Sequence, residues 1–373
     1  MLTLARSLSH RELIARRLSG VRLLSPRATT AADVVRELGA VQAQDFHGAK
    51  WAIAQRGCGL TDASIDREFD KGALIRTHVL RPTWHFVAPE DARWMLALTG
   101  ARIARTMGHY NDVFELDAKV FRRSNDAMAA ALAGGKFLTR TELSAAIEGA
   151  GVPVTSTMKL TRLVMMAELD AVICSGPRRG KQLTYALFDE RVPSTPPLER
   201  DEALLTLILR YFSTRGPATL HDFAWWSGLT VGDATRGVQM ADKELTRASC
   251  DGVDHWFVDA PVRRAPVSAM LLPNYDEYFI GYKDRGAVGQ RVGHSRAVIG
   301  GDGGVSHVAF LNGELVGRWK RVTQPKSVVV DLTLECRLTA AERARLLAAV
   351  RRFAAFLGVP VTMTARQSNA LRR

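Results

Sequence analysis

Cysteine is scarce and scattered. Cys58, Cys174, Cys250 and Cys336 are the only four in 373 residues, and their wide spacing fits neither a Cys-x-x-Cys metal site nor a small disulfide framework. A reducing cytoplasm is the expected setting. The nine histidines form no His-Glu-x-x-His and no His/Cys cluster at zinc-ligand spacing, so no metal and no other cofactor is expected. No apolar run approaches the roughly 18 to 20 residues of a membrane span, so no membrane association is expected. Acid is short too: 38 Asp and Glu against 51 Lys and Arg give a formal charge of +13. That net positive field favours polyanionic partners such as nucleic acid.

What is present is ordinary for folded protein. Hydrophobic residues make up 47% and charged residues 24%, and the length allows two or three domains with real cores. Arg6, Arg11, Arg16 and Arg17 give the N-terminus a superficial likeness to an organelle transit peptide. Ser9 ahead of Leu13, Ala15 and Leu18, with Gly20 beyond, predicts instead a capped helix over 10–19.

The middle of the chain shows a repeating order most plainly. A helix over 118–132 leads to the short apolar Phe137-Leu138. Thr139 and Thr141 then precede an amphipathic helix ending near 149–151. A second helix over 156–168 is followed by strands over 171–174 and 182–187, joined by the basic loop 175–181. Helix, strand, helix, helix, hairpin is the order of a winged helix. It recurs at 201–258, with 218–220 in the place of the short strand and a hairpin turning at Asp251-Gly252. It recurs again at 31–87, where the short strand is 41–44. The expected architecture is therefore mainly α with small β-sheets. Residues 1–88 form a first winged helix, 89–117 a linking helix, 118–195 a second, 196–260 a third, and 261–373 a C-terminal α/β region. In that region 271–282 reads as extended, 305–322 as a hairpin turning at Asn312-Gly313, 327–334 as a strand and 339–357 as a helix closed by Gly358. The Gly-rich 300–304 lacks the strand-to-helix setting of a phosphate loop and reads as a flexible loop.

Gln42 and Gln44 stand two apart in Gly39-Ala40-Val41-Gln42-Ala43-Gln44-Asp45. On an extended strand both amides project to one side and together hold a water. A Gln pair on a short strand is more often simply solvated or satisfying backbone. In a winged helix this strand pairs with the later hairpin, which sets it beside Trp84 and His85. Those two either line the same hollow or serve as a packed core indole and a backbone-satisfied imidazole. Asp45 is either a general base or the cap of the helix beginning near 47. Lys50 is the one lysine near enough to consider for Schiff-base chemistry, which is not favoured. Basic groups recur along the chain: Arg102 with Arg105, Arg122-Arg123, Arg178-Arg179 with Lys181, Arg263-Arg264, and Arg318 with Lys320-Arg321. Each alone reads as a solvated face, but together they are consistent with a track for phosphates.

Four segments carry a family resemblance. They are Gly39 to Gln44 with 49–56; Leu74-Ile75-Arg76 through Arg81-Pro82-Thr83-Trp84-His85; Leu271-Leu272-Pro273-Asn274-Tyr275-Asp276-Glu277-Tyr278 with Gly281-Tyr282-Lys283-Asp284-Arg285; and Asn312 to Trp319. With these the chain resembles the AlkZ-type, YcaQ-like family of bacterial winged-helix DNA glycosylases, over nearly its whole length to about residue 357. The resemblance implies three tandem winged helices and a β-rich tail bent into a C around a basic channel. It implies excision of N7-alkylguanine and, in the branch from antibiotic producers, unhooking of interstrand crosslinks as self-resistance. That branch has Gln, a variable residue, Gln where the other has Asp second, so Gln42 and Gln44 are expected to position the water that attacks C1′. The remaining expectations are a monofunctional glycosylase, a cytoplasmic, nucleoid-associated monomer, and double-stranded DNA with alkylated guanine or crosslinks as partner. Arg178, Arg179, Lys181, Arg318, Lys320 and Arg321 are the expected DNA contacts. The hairpin over 305–322 either reaches into the duplex or is an ordinary sheet hairpin. A winged-helix transcription regulator, dimeric and sequence-reading, is the alternative from another class.

Overall fold

The computed structural model describes residues 6–262, 268–293 and 307–368. Arg263-Arg264 and the glycine-rich 300–304 lie outside the described residues. The protein is a mixed α/β fold, dominated by helices with several small sheets. Capping fixes much of the local structure. Thr139 with Glu142 and Thr219 with Asp222 each form a reciprocal capping box, starting the helices Arg140–Gly149 and Leu220–Ser227. In the turn Asp251-Gly252 both residues have positive φ, +49° and +77°, as a two-residue hairpin loop requires.

Up to residue 258 the elements group into three successive modules, each around its own three-stranded sheet. The first runs through Ala31–Leu38, Val41–Gln42, Phe46–Ala54, Asp62–Asp70, Ile75–His78 and Trp84–Val87. Its sheet places Trp84–Val87 in the middle, with Gln42 opposite His85 and Thr77 opposite His85 from the other side. The strand is shorter than the expected 41–44, because Asp45 already caps the next helix by accepting from Gly48 N at 3.0 Å. Pro89–Thr106 links this module to the second, made of Ala118–Leu132, Leu138–Thr139, Arg140–Gly149, Thr157–Leu169, Ile173–Ser175 and Thr184–Leu187.

The third module is completed by the far end of the chain. The short strand expected at 218–220 is a single backbone pairing of Ala218 with Trp256, since Thr219 is committed as a helix cap. Arg6–Ser7 extends the opposite edge of the sheet, pairing in parallel with Ala248 and Ser249. The helix His10–Gly20 follows it onto the same module, where Arg17 Nε donates to Pro217 O at 2.8 Å.

In the C-terminal region five strands order as Ala269–Leu272, His307–Leu311, Glu314–Thr323, Val328–Leu334 and Val361–Gln367. The last, which lacks a clear sequence signal, pairs in parallel with Val328–Leu334, and the helix Ala340–Leu357 makes the crossover. The extended reading of 271–282 holds only to Leu272. Tyr275 takes φ +62°, and Asp276 caps the short helix Glu277–Ile280 by accepting from Tyr278 N.

Two large apolar clusters flank the first-module sheet. Val41 and Phe86 belong to one, with Phe46, Phe69, Trp51 and the C-terminal helix. Ile75 and Val87 belong to the other, with Met95, Leu207, Phe212 and Trp226. The strand bearing Gln42 thus lies sandwiched between cores, which restricts its movement.

Candidate active site

Strand alternation sorts the expected site residues. Gln42, His85 and Thr77 occupy opposed positions and share one face; Trp84, two residues from Phe86, belongs to the other with Arg76 and His78. Trp84 and His85 therefore do not share a hollow. The Trp84 indole lies between His78, with centroids 4.3 Å apart, and the Arg76 guanidinium, 4.3 Å from its centroid, and its Nε1 donates to Glu168 at 3.3 Å.

Gln42 is 5% exposed and held from two directions. Its backbone N–H donates to Glu277 Oε1 at 2.9 Å, and its side-chain Oε1 accepts from Arg81 Nη2 at 2.5 Å. A guanidinium only donates, so this bond fixes which end of the amide is oxygen. Nε2 is left as the outward donor, with no protein partner among the described residues. Gln44 is exposed, and its Oε1 accepts from Trp84 N at a long 3.4 Å, leaving most of that carbonyl's acceptor capacity available.

Glu277, fully buried, organises the rear of the site. Arg215 donates to its Oε2 at 2.5 Å and Trp226 Nε1 at 3.0 Å, while Arg215 also holds the carbonyls of Leu38 and Ala40. Burial acts to raise the Glu277 pKa, but Arg215 and the Gln42 N–H outweigh it and hold the carboxyl below its usual range. Burial pulls Arg81 down to about 10, opposed by Glu277 and assisted by Arg215 and Arg285, which still leaves it charged near neutral pH. His85 donates from Nδ1 to Thr83 O at 2.9 Å, and burial followed by Arg81 pushes its pKa down to about 3. It is a neutral imidazole with a bare Nε2. That atom, Thr77 Oγ1, Thr83 Oγ1 and Arg81 Nε are buried without a protein partner. Buried polar atoms of this kind are matched by solvent or ligand.

The third module closes the site from one side. Gly228 has φ +70°, and a Cβ there would meet Leu80 O at 1.9 Å. Only glycine permits this approach. It brings Trp225, 40% exposed, within 5.7 Å of the Arg81 guanidinium.

Neither of the other candidates for chemistry is available. Asp45 is the helix cap. Lys50 is fully buried, with Nζ 2.8 Å from Asp62 and 2.6 Å from Asp66. Among the described residues no group of His, Cys, Asp and Glu is arranged to hold a metal ion.

The six expected DNA contacts divide evenly. Arg178 bridges Asp66 at 2.6 Å and Asp70 at 2.8 Å, Arg179 pairs with Glu142 at 2.7 Å, and Arg318 with Glu335 at 3.0 Å. Lys181, Lys320 and Arg321 are exposed and enter no ion pair among the described residues. Arg321 lies close enough to His47, at the start of the helix after the glutamines, to contribute to lowering its pKa after partial burial and Lys50. That sets the 307–323 hairpin near the Gln44 end of the site.

Sequence reasoning assigned no role to Arg81, Glu277 or Arg215. Arg81 and Glu277 sat inside the motifs that carried the resemblance, and that was the one signal available for them.

A family match over most of the chain defines its class: the protein is a DNA glycosylase. The chain belongs to the AlkZ-like family of DNA glycosylases, which it matches over residues 35–356. It is 29% identical over 332 residues to a Streptomyces sahachiroi protein named interstrand DNA cross-link repair glycosylase, across 81% of this chain and 85% of that one. Its fold superposes on the solved Streptomyces sahachiroi DNA glycosylase AlkZ with a TM-score of 0.78 at 23% identity, covering 96% of this chain and all of the other. Among the described residues no helix is long and apolar enough to cross a membrane.

Proposed function

We propose that this glycosylase hydrolyses the N-glycosidic bond of N7-alkylguanine, including guanines joined in interstrand crosslinks, and so protects a host from a DNA-alkylating compound. The observation that carries the reading is the clamped Gln42, whose amide is oriented by Arg81 and whose backbone is anchored by Glu277. Gln42 Nε2 donates to a water and the Gln44 carbonyl accepts one of its protons, so that an oxygen lone pair faces C1′. N7 alkylation leaves a fixed positive charge on the base. As the C1′–N9 bond breaks, its electrons neutralise that charge, water oxygen bonds to C1′, and the surplus proton passes to solvent. A positioned water suffices because the leaving group needs no acid.

The engaged Lys50 supports a monofunctional enzyme over one forming a Schiff base. In this reading the three modules act as tandem winged helices, bounded near 1–88, 118–195 and 196–260, with the linking helix at 89–117 and the tail from 261. They curve around a basic channel to which Lys181, Lys320 and Arg321 contribute free charge. The protein acts as a cytoplasmic monomer. Incubation with duplexes containing N7-methylguanine or a nitrogen-mustard crosslink tests this: release of alkylguanine is expected from both. No release from either overturns the activity, and release of the monoadduct alone removes the crosslink.

A further inference from the structure

On the face of the first-module sheet away from Gln42 lies a partly open cavity of about 360 Å³, bounded by that sheet and by the second module. Arg76 and Trp84 line it from one side, and Arg140, Thr141, Gln182 and Tyr185 from the other. Its notable occupant is the Arg76 guanidinium, on a residue only 9% exposed. Nε donates to Ala43 O at 3.0 Å and one flat face rests on Trp84. Neither Nη atom has a protein partner among the described residues, and no carboxylate lies in ion-pair contact. Burial lowers the Arg76 pKa to about 10, with Glu168 and Tyr185 opposing. The group remains a cation near neutral pH.

A largely buried guanidinium whose unspent in-plane donors open into a cavity suits an acceptor there, preferably an anionic one. The surroundings agree. Arg140 and Thr141 begin the helix Arg140–Gly149, whose N-terminus adds partial positive charge. Two acids lie nearby, and both are occupied. Glu168 pairs with His78 and accepts from Trp84 Nε1, while Glu142 closes the capping box and pairs with Arg179. Both the planar donor fork and the charge suit a tetrahedral oxyanion.

We infer that this cavity is a phosphate site which grips a backbone phosphodiester of bound DNA through Arg76 and Arg140. The contact reaches the active strand directly, because Arg76 holds the carbonyl of Ala43, the residue between the two glutamines. A seated phosphate thereby registers the duplex against the strand that carries the chemistry. The inference draws on the DNA-acting reading for the source of the oxyanion, and free inorganic phosphate shares the same chemistry.

The test measures the affinity of the full chain for a short undamaged duplex across a salt series. Base release plays no part in it, so an inactive protein that binds DNA leaves this inference standing while the proposed function fails. Losing one phosphate contact reduces the slope of log affinity against log salt by about 0.9. Arg76→Met and Arg140→Ala are each expected to show that reduction. Thr141→Trp, which fills the cavity from its exposed rim and leaves both arginines in place, should do so too and guards against misfolding of the Arg76 variant. A second arm follows the melting temperature with added inorganic phosphate. Unchanged DNA slopes with phosphate stabilisation lost in the variants assign the oxyanion site to free phosphate. Unchanged slopes and no phosphate effect overturn the site.

Discussion

The two faces of one three-stranded sheet have opposite characters. On the Gln42 face the charged groups are tied, Arg81 to the amide, Glu277 to the backbone, Arg215 to Glu277 and to two carbonyls, while His85 Nε2 and Thr77 Oγ1 stay without a protein partner. On the Arg76 face a guanidinium on a residue 9% exposed ends in a cavity with both Nη groups unspent. The difference teaches how a sheet flanked by two cores separates positioning from gripping. Alternation along Trp84–Val87 puts the oriented amide and the open cation on opposite sides, and Arg76 reaches the glutamine segment through the carbonyl of residue 43.

If the tied face is the chemical one, Gln42→Ala and Gln44→Ala each lower alkylguanine release by about a thousandfold, in the range for losing a positioned donor. DNA affinity holds in a binding titration. Equal loss of affinity would make the pair structural.

The next largest effect concerns the tie itself. Asp276 receives both Nη atoms of the buried Arg56, at 2.7 and 2.8 Å, and so pins the segment that presents Glu277. Asp276→Ala leaves that cation uncompensated and is expected to cost about 3 to 5 kcal/mol in denaturant unfolding.

His85 supplies a pH signature of the tied face. Its folded pKa, about 3, lies below the ordinary 6.5, so between these values the unfolded chain binds the proton and the folded one does not. Stability is therefore lost as pH falls through this window, by about 2 kcal/mol between pH 6.5 and 5 for this residue. The difference in melting temperature between wild type and His85→Gln should shrink on acidification across that range. A constant difference would place the titration elsewhere.

Arg81 sharpens the comparison through coupling. Arg81→Gln removes the charge that orients the amide and should lower kcat about tenfold with KM held, and Arg81→Lys should recover part of it. In a Gln42→Ala background the same change should do little more. Additive losses would give Arg81 a task independent of Gln42. The smallest effect belongs to the surface: Arg179→Ala breaks an exposed pair with Glu142 and should shift stability by no more than about 1 kcal/mol.

Much of the fold was legible because its signals are short. The capping box of Thr139 and Glu142, the turns at Asp251-Gly252 and Asn312-Gly313, and the helices Ala31–Leu38 and Ala118–Leu132 each rest on a few neighbouring residues. Local reading failed where a partner was remote. Arg6–Ser7 completes a sheet with residues about 240 positions later, and Val361–Gln367, polar at most positions, becomes a strand because Val328–Leu334 offers it an edge. Arg178 looked like a free basic group until Asp66 and Asp70 on another module met it.

The sequence by itself determined the order of elements, the positive charge and, through the Gln-x-Gln pattern, the pair to examine. Those properties reside in adjacent residues and survive without long-range contacts. Only the tertiary structure decided which atoms of the pair face outward, since Arg81, 39 residues on, takes Gln42 Oε1, and Glu277, 235 residues on, takes the Gln42 backbone N–H. It likewise left Arg76 with its donors open. Both outcomes depend on what remote segments bring to the sheet, and the spacing of residues along the chain does not encode that; the opposite facing of Trp84 and His85 follows from their adjacency on one strand.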